Sequence, residues 1–133
     1  PGGIPGVETR LPLLYSEVVL KRGLDRKRFV DLVSTAPARL FGLSRKGDIK
    51  VGLDADLLIF DPAAEREITA ASIHQKVDFN PFENFIVRGR PVAVFSRGEK
   101  IIDGERFMGE PGRGMFIHRQ PCPDRGITSP ERL

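Results

Sequence analysis

At 133 residues, with 40% apolar and 29% charged residues, the chain has the size and balance of one globular domain. Its 21 basic residues outnumber 18 acidic ones by three, and the charges are interspersed, so there is no basic stripe to hold nucleic acid. No apolar run approaches the roughly 20 residues of a membrane span. Even a run such as Val92-Ala93-Val94-Phe95, which none exceeds, is far too short. A single cysteine, Cys122, excludes an internal disulfide and suits a reducing cytoplasm.

The first six residues hold two prolines and three glycines. Such a stretch reads as a tight loop, and the expectation is that it belongs inside a longer chain. Residues 8–23 then read as a helix, with Leu11, Leu14 and Val18 forming an apolar stripe flanked by Leu13 and Leu20. Pro12 is tolerable only in a first turn, which places the helix start near Thr9–Arg10, and Gly23 is a natural stop. A second helix begins at Asp25, whose carboxylate can cap free N–H groups while Leu24 packs on Phe29. Phe29, Val30, Leu32 and Val33 supply its apolar face. Thr35 is expected to cap a short third helix carrying Pro37 in its first turn and ending at Gly42.

After Arg45 the period changes. Residues 56–60 read as a strand stopped by Asp61-Pro62, and 65–69 as a weaker one. Residues 85–87 and 91–96 read as two strands turning at Arg88-Gly89-Arg90. Arg97-Gly98 turns the chain into Lys100-Ile101-Ile102, and Asp103-Gly104 turns it again. Residues 109–133 carry four prolines and four glycines and read as an extended tail. The fold class expected is therefore α+β, helices first and a small antiparallel sheet after. A thin helical layer and about five short strands leave faces and edges uncovered, which again points to part of a larger protein.

Catalytic patterns are sparse. His74 and His118 are the only histidines and stand 44 positions apart, with no His-x-His or His-Glu-x-x-His pattern, so no metal site is expected. There is no Gly-x-Ser-x-Gly elbow and no phosphate loop. Asp54 and Asp56 form a carboxylate pair of the type used in acid–base work, and also of the type that caps a turn and starts a strand. The glycine-rich 109–114 follows no strand and opens no helix. The opening loop alone keeps a functional reading: glycine lets backbone N–H and C=O groups approach a planar amide without an intervening Cβ.

Several of these stretches together resemble a known family. Residues 1–14 are similar to the segment that follows the last metal ligand in cyclic amidohydrolases. Residues 47–62 resemble the passage from barrel to β-sandwich in those enzymes. Residues 77–83, 87–89, 95–98, 112–114 and 119–124 are similar to the dihydropyrimidinase and hydantoinase branch, and 6–14 resembles dihydroorotase equally.

The resemblance implies the last loop and helices of a (β/α)8 barrel over 1–47, part of a composite β-sandwich over 48–108, and a tail over 109–133. It implies a parent hydrolase acting on carbon–nitrogen bonds of cyclic amides or imides, through hydroxide bound to two metal ions, usually zinc. The ligands of those ions, four histidines, an aspartate and a carbamylated lysine, would all precede Pro1, so the chain alone is expected to be inactive. It further implies substrate contact by the backbone of Gly2 and Gly3, a homotetramer, and a cytoplasmic location. Relatives of the dihydropyrimidinase type carry Asn where this chain has Gly2; a backbone contact survives that change and a side-chain contact does not. A non-catalytic relative serving as a structural or partner-binding protein is the alternative. A basic nucleic-acid module ranks behind both.

Overall fold

The computed structural model describes residues 3–121; Pro1, Gly2 and residues 122–133, Cys122 among them, lie outside the described residues. Helix α1 (Arg10–Leu14) starts where the proline rule places it, with Pro12 in the first turn and its missing N–H uncalled for. It runs on as a wide, π-type turn, Tyr15–Leu20. Gly23 (φ +68°) reverses the chain, its N–H bonded to Val19 O at 3.1 Å. Asp25 then caps α2 (Arg26–Val30), its Oδ1 accepting from the Arg28 N–H at 3.1 Å. Gly42 (φ +66°) closes the layer after α3 (Ala36–Leu40).

Three helical expectations are corrected. The stripe of Leu11, Leu14 and Val18 is displaced: Pro12, Leu13, Tyr15, Ser16 and Val19 are buried, and Leu14 and Leu20 are exposed. On the buried side Leu13, Tyr15 and Val19 pack into the core and the Ser16 hydroxyl is taken up by the backbone of Arg88, a polar partner that a count of leucines does not include. Val30 and Leu32, at 54% and 46% exposure, stay outside while Phe29 is buried. Thr35 caps nothing. It is itself helical, because α2 continues through a second wide turn, Asp31–Thr35, into α3. Its hydroxyl donates instead to Gly47 O at 2.6 Å and ties down the loop that follows. A wide turn just before Pro37 also lessens the clash a proline ring makes with the preceding turn.

Four antiparallel strands follow in the order β1-β2-β3-β4: β1 (Leu57–Glu67), β2 (Ile86–Ser96), β3 (Glu99–Asp103) and β4 (Arg106–Phe107). The two strands expected at 56–60 and 65–69 are one. Asp61-Pro62 forms a bulge, with Asp61 Oδ1 accepting from the N–H groups of Ala63 (2.9 Å) and Ala64 (3.3 Å) while the ladder jumps from Asp61↔Arg90 to Glu65↔Arg88. The strands expected at 85–87 and 91–96 are also one, because Gly89 (φ +93°) bends β2 opposite that bulge and does not turn it. The two-residue turn Arg97-Gly98, both at positive φ (+50° and +82°), is the hairpin expected between β2 and β3.

The core consists of two small clusters between the first helix and the sheet. Leu13, Ile68 and Val87 form one, with Phe82 against it. Tyr15, Val19 and Phe29 form the other, with Leu11, Leu24, Val33 and Phe60 around it. Large apolar surfaces stay open on both layers, including Phe41 on the helical side and Ile59 and Ile86 on the sheet. Among the described residues no helix is long and apolar enough to cross a membrane.

Candidate functional site

The loop before α1 is held at one end and open at the other. Gly6 O receives the Arg10 N–H at 3.0 Å and the Thr9 hydroxyl at 3.4 Å, and Thr9 is 1% exposed. Pro5 is buried as well. Gly3, by contrast, is exposed at φ +155°, with nothing within 4 Å of where a Cβ would stand. Its N–H and C=O have no hydrogen-bond partner among the described residues. Such a position presents backbone groups to a neighbour without a side chain in the way. Gly2, the other expected contact, lies outside the described residues.

Glu8 in this loop was not singled out by the sequence. Its carboxylate grips His74 twice: Oε2 accepts the His74 backbone N–H at 2.8 Å, and Oε1 lies 2.9 Å from Nδ1. The hydrogen bond to Glu8 raises the His74 pKa above its ordinary value, aided by the Glu8 charge. The two residues stand 66 positions apart, so no local signal connects them.

Asp54 and Asp56 are brought together as an ionic latch. Lys46 Nζ reaches both carboxylates, 2.9 Å from Asp54. Arg45 adds a second cation to Asp54 at 2.6 Å, and Asp56 Oδ1 accepts the Arg97 N–H at 2.8 Å. Burial opposes the Lys46 charge, but hydrogen bonds to Asp56 and Asp54 outweigh it and raise the pKa. The hydrogen bond from Lys46 lowers the Asp54 pKa. Burial works against the Asp56 charge, yet Lys46 and the Arg97 amide bring its pKa down too. Both carboxylates are thus held ionised by cations, a structural duty and not a proton-transfer one. His118 stacks edge-on against Phe116 at 4.9 Å. Among the described residues, no three His, Cys, Asp or Glu side chains converge as a metal site would require. The described residues therefore do not by themselves fit a catalytic metal.

Residues 3–101 match the model of the Amidohydrolase family. The chain belongs to the amidohydrolase family. It is 49% identical over 120 residues to a D-hydantoinase of Geobacillus stearothermophilus, an overlap covering 90% of this chain and 26% of that protein. It is 43% identical over 122 residues to a D-phenylhydantoinase of Escherichia coli O1:K1 / APEC, covering 91% and 26%. Among solved structures it is similar to the D-hydantoinase (dihydropyrimidinase) from Thermus sp., with a TM-score of 0.87 and 45% identity over 92% of this chain and 27% of that one. This amidohydrolase chain thus spans about a quarter of the length of the curated relatives it matches, and within that span its helices and sheet follow a hydantoinase closely. The branch expected from its motifs is the one these relatives belong to.

Proposed function

We propose that this chain is part of a cyclic amidohydrolase that hydrolyses a carbon–nitrogen bond of a dihydropyrimidine or hydantoin ring, and that its own task is to hold substrate. The observation that carries the reading is the 45% identity at a TM-score of 0.87 to a D-hydantoinase over nine-tenths of the chain. The open backbone at Gly3, set beside the locked turn at Gly6–Thr9, supports substrate contact by Gly2 and Gly3. A planar ring amide offers a donor and an acceptor side by side, and paired backbone N–H and C=O groups complement it. In this role the loop binds and orients the ring and performs no chemistry. Divalent metal, a zinc pair in this reading, would be held by residues outside those described, and the 133-residue chain alone opens no ring.

The same reading divides the chain into barrel-derived residues 1–47, sandwich-derived residues 48–108 and the tail 109–133. Exposed Val30, Leu32 and Phe41 on the helices, and Ile59 and Ile86 on the sheet, support it as surfaces that the remainder would cover. A homotetrameric, cytoplasmic enzyme completes the proposal.

The test is to express the complete reading frame that contains these residues and assay it with zinc on dihydrouracil, hydantoin, allantoin and dihydroorotate. Opening of at least one ring is the expected result. A folded, zinc-loaded product that opens none overturns the enzymatic reading in favour of a non-catalytic, partner-binding relative. A frame confined to these 133 residues overturns the proposal altogether.

A further inference from the structure

The Glu8–His74 contact differs from an ordinary surface ion pair. An exposed pair of flexible side chains contributes little and has no fixed direction. Here one carboxylate spends both oxygens on a single residue, and one of its two partners is a backbone N–H that cannot swing away. The far side of the contact is firmly built. The excursion between β1 and β2 is closed at its neck by Ile68 N–H to Phe85 O (2.9 Å) and Asn84 N–H to Ile68 O (2.8 Å). Within it, Thr69 and Ser72 cap each other reciprocally around the turn Ala70–Ser72. Glu83 accepts the Ala70 N–H at 2.8 Å, and the Asn80 side chain accepts the Phe82 N–H at 2.9 Å. Ile73, just before His74, is buried. The near side is the loop that begins at the open Gly3.

We propose that Glu8 and His74 are positioning residues: a clasp by which the 68–85 excursion fixes the Gly3–Thr9 loop and so sets how tightly the ring is held. This rests on the reading of that loop as the substrate holder. The clasp closes further when the His74 ring is protonated. Three charges face that ring: Glu8 from the loop and Glu105 from the β3–β4 turn favour its protonation, and Arg66 from β1 opposes it. Because the folded-state pKa lies above 6.5, the added hold is complete below that pH and is lost as pH rises through the raised value.

The experiment uses the protein of the complete reading frame and measures amide hydrogen exchange at residues 6–10 alongside ring-opening kinetics. Glu8→Ala removes both bonds, Glu8→Gln keeps one acceptor oxygen for the His74 N–H while replacing the other by an NH2 donor and removing the charge, and His74→Ala keeps the backbone bond. Loss of hydrogen bonds to a charged group predicts about tenfold faster exchange at residues 6–10 in Glu8→Ala, and a smaller rise in the other two. Once intrinsic exchange rates are allowed for, the pH dependence of loop protection between pH 6 and 8 should vanish in Glu8→Gln, and KM should rise in Glu8→Ala with kcat kept. Unchanged loop exchange in a folded Glu8→Ala overturns the clasp. If that variant does not fold, unchanged exchange and pH dependence in Glu8→Gln and His74→Ala overturn it equally. Faster exchange with unchanged KM overturns the positioning role. Unsubstituted protein that opens no ring sinks the underlying reading instead, while the exchange data still decide whether the clasp exists.

Discussion

Two of the places where the helical segment and the residues that trail it meet the sheet differ in kind. At the first, Tyr15 stands edge-on to Phe29 and Phe60, with ring centres 5.8 and 5.0 Å away, while β2 passes close by at Gly89. The Ser16 hydroxyl there donates to Arg88 O at 3.0 Å and accepts the Arg88 N–H at 2.6 Å. At the second, Lys46, Asp54 and Asp56 gather the loop after α3 against the β2–β3 turn, where Gly98 N–H also reaches Ala55 O at 2.9 Å. One junction depends on shape and has no titrating pair at its centre. The other depends on charge, so it answers to acid and salt. The contrast teaches that two contacts holding the same layers together need not fail under the same conditions.

The largest effect is expected at Gly89. A Cβ there would stand 2.5 Å from Phe60 Cζ and 2.7 Å from Tyr15 Cδ1, at a φ of +93° that side chains rarely adopt. Overpacking and backbone strain together predict a loss of about 4 kcal/mol for Gly89→Ala, read from urea unfolding. An unchanged midpoint would show that the shape-dependent junction is looser than described. Ser16→Ala comes next. It strands the Arg88 N–H and C=O beside a residue only 4% exposed, which predicts about 2 kcal/mol and faster exchange of the Arg88 amide. Equal exchange in the two proteins would mean that water satisfies those groups.

Smaller still is Lys46→Met, expected to cost about 1 kcal/mol in low salt and less at high salt. Salt-independent destabilisation would place Lys46 in the apolar class. Acid gives the finest separation. Asp54 and Asp56 have lowered pKa values, so their contribution is present above 3.8 and fades as pH falls through those values. As pH falls below 3.8 the Arg97 and Gly98 amides should gain exchange before the Ile68 amide does, once intrinsic rates are allowed for. Simultaneous opening would erase the distinction between the two junctions.

What could be read in advance was whatever is encoded within a few residues. Pro12, Gly23, Asp25, Gly42 and Arg97-Gly98 each act on their immediate neighbours, and each stands where its local chemistry puts it. Pro62 and Gly89 were misread as chain breaks because each tolerates a bulge only through the irregularity facing it on the other strand, and a single segment cannot reveal its partner. Thr35 has the right chemistry for a cap, yet Gly47, twelve residues on, claims its hydroxyl. At the candidate site, the glycines of the opening loop were visible as residues that let a ligand come near. Glu8 was not, since its meaning lies in a residue far along the chain.

The facing irregularities of β1 and β2 also bear on how the chain tolerates changes in length. Elsewhere in a ladder, one residue added or removed exchanges the two sides of a strand and turns its apolar set outward. Between Asp61 and Glu65 the surplus already loops out, and pairing resumes at Glu65↔Arg88 regardless of what lies between. Pro62–Ala64 is therefore where insertions and deletions among relatives should collect, leaving the rest of the sheet to keep its sides.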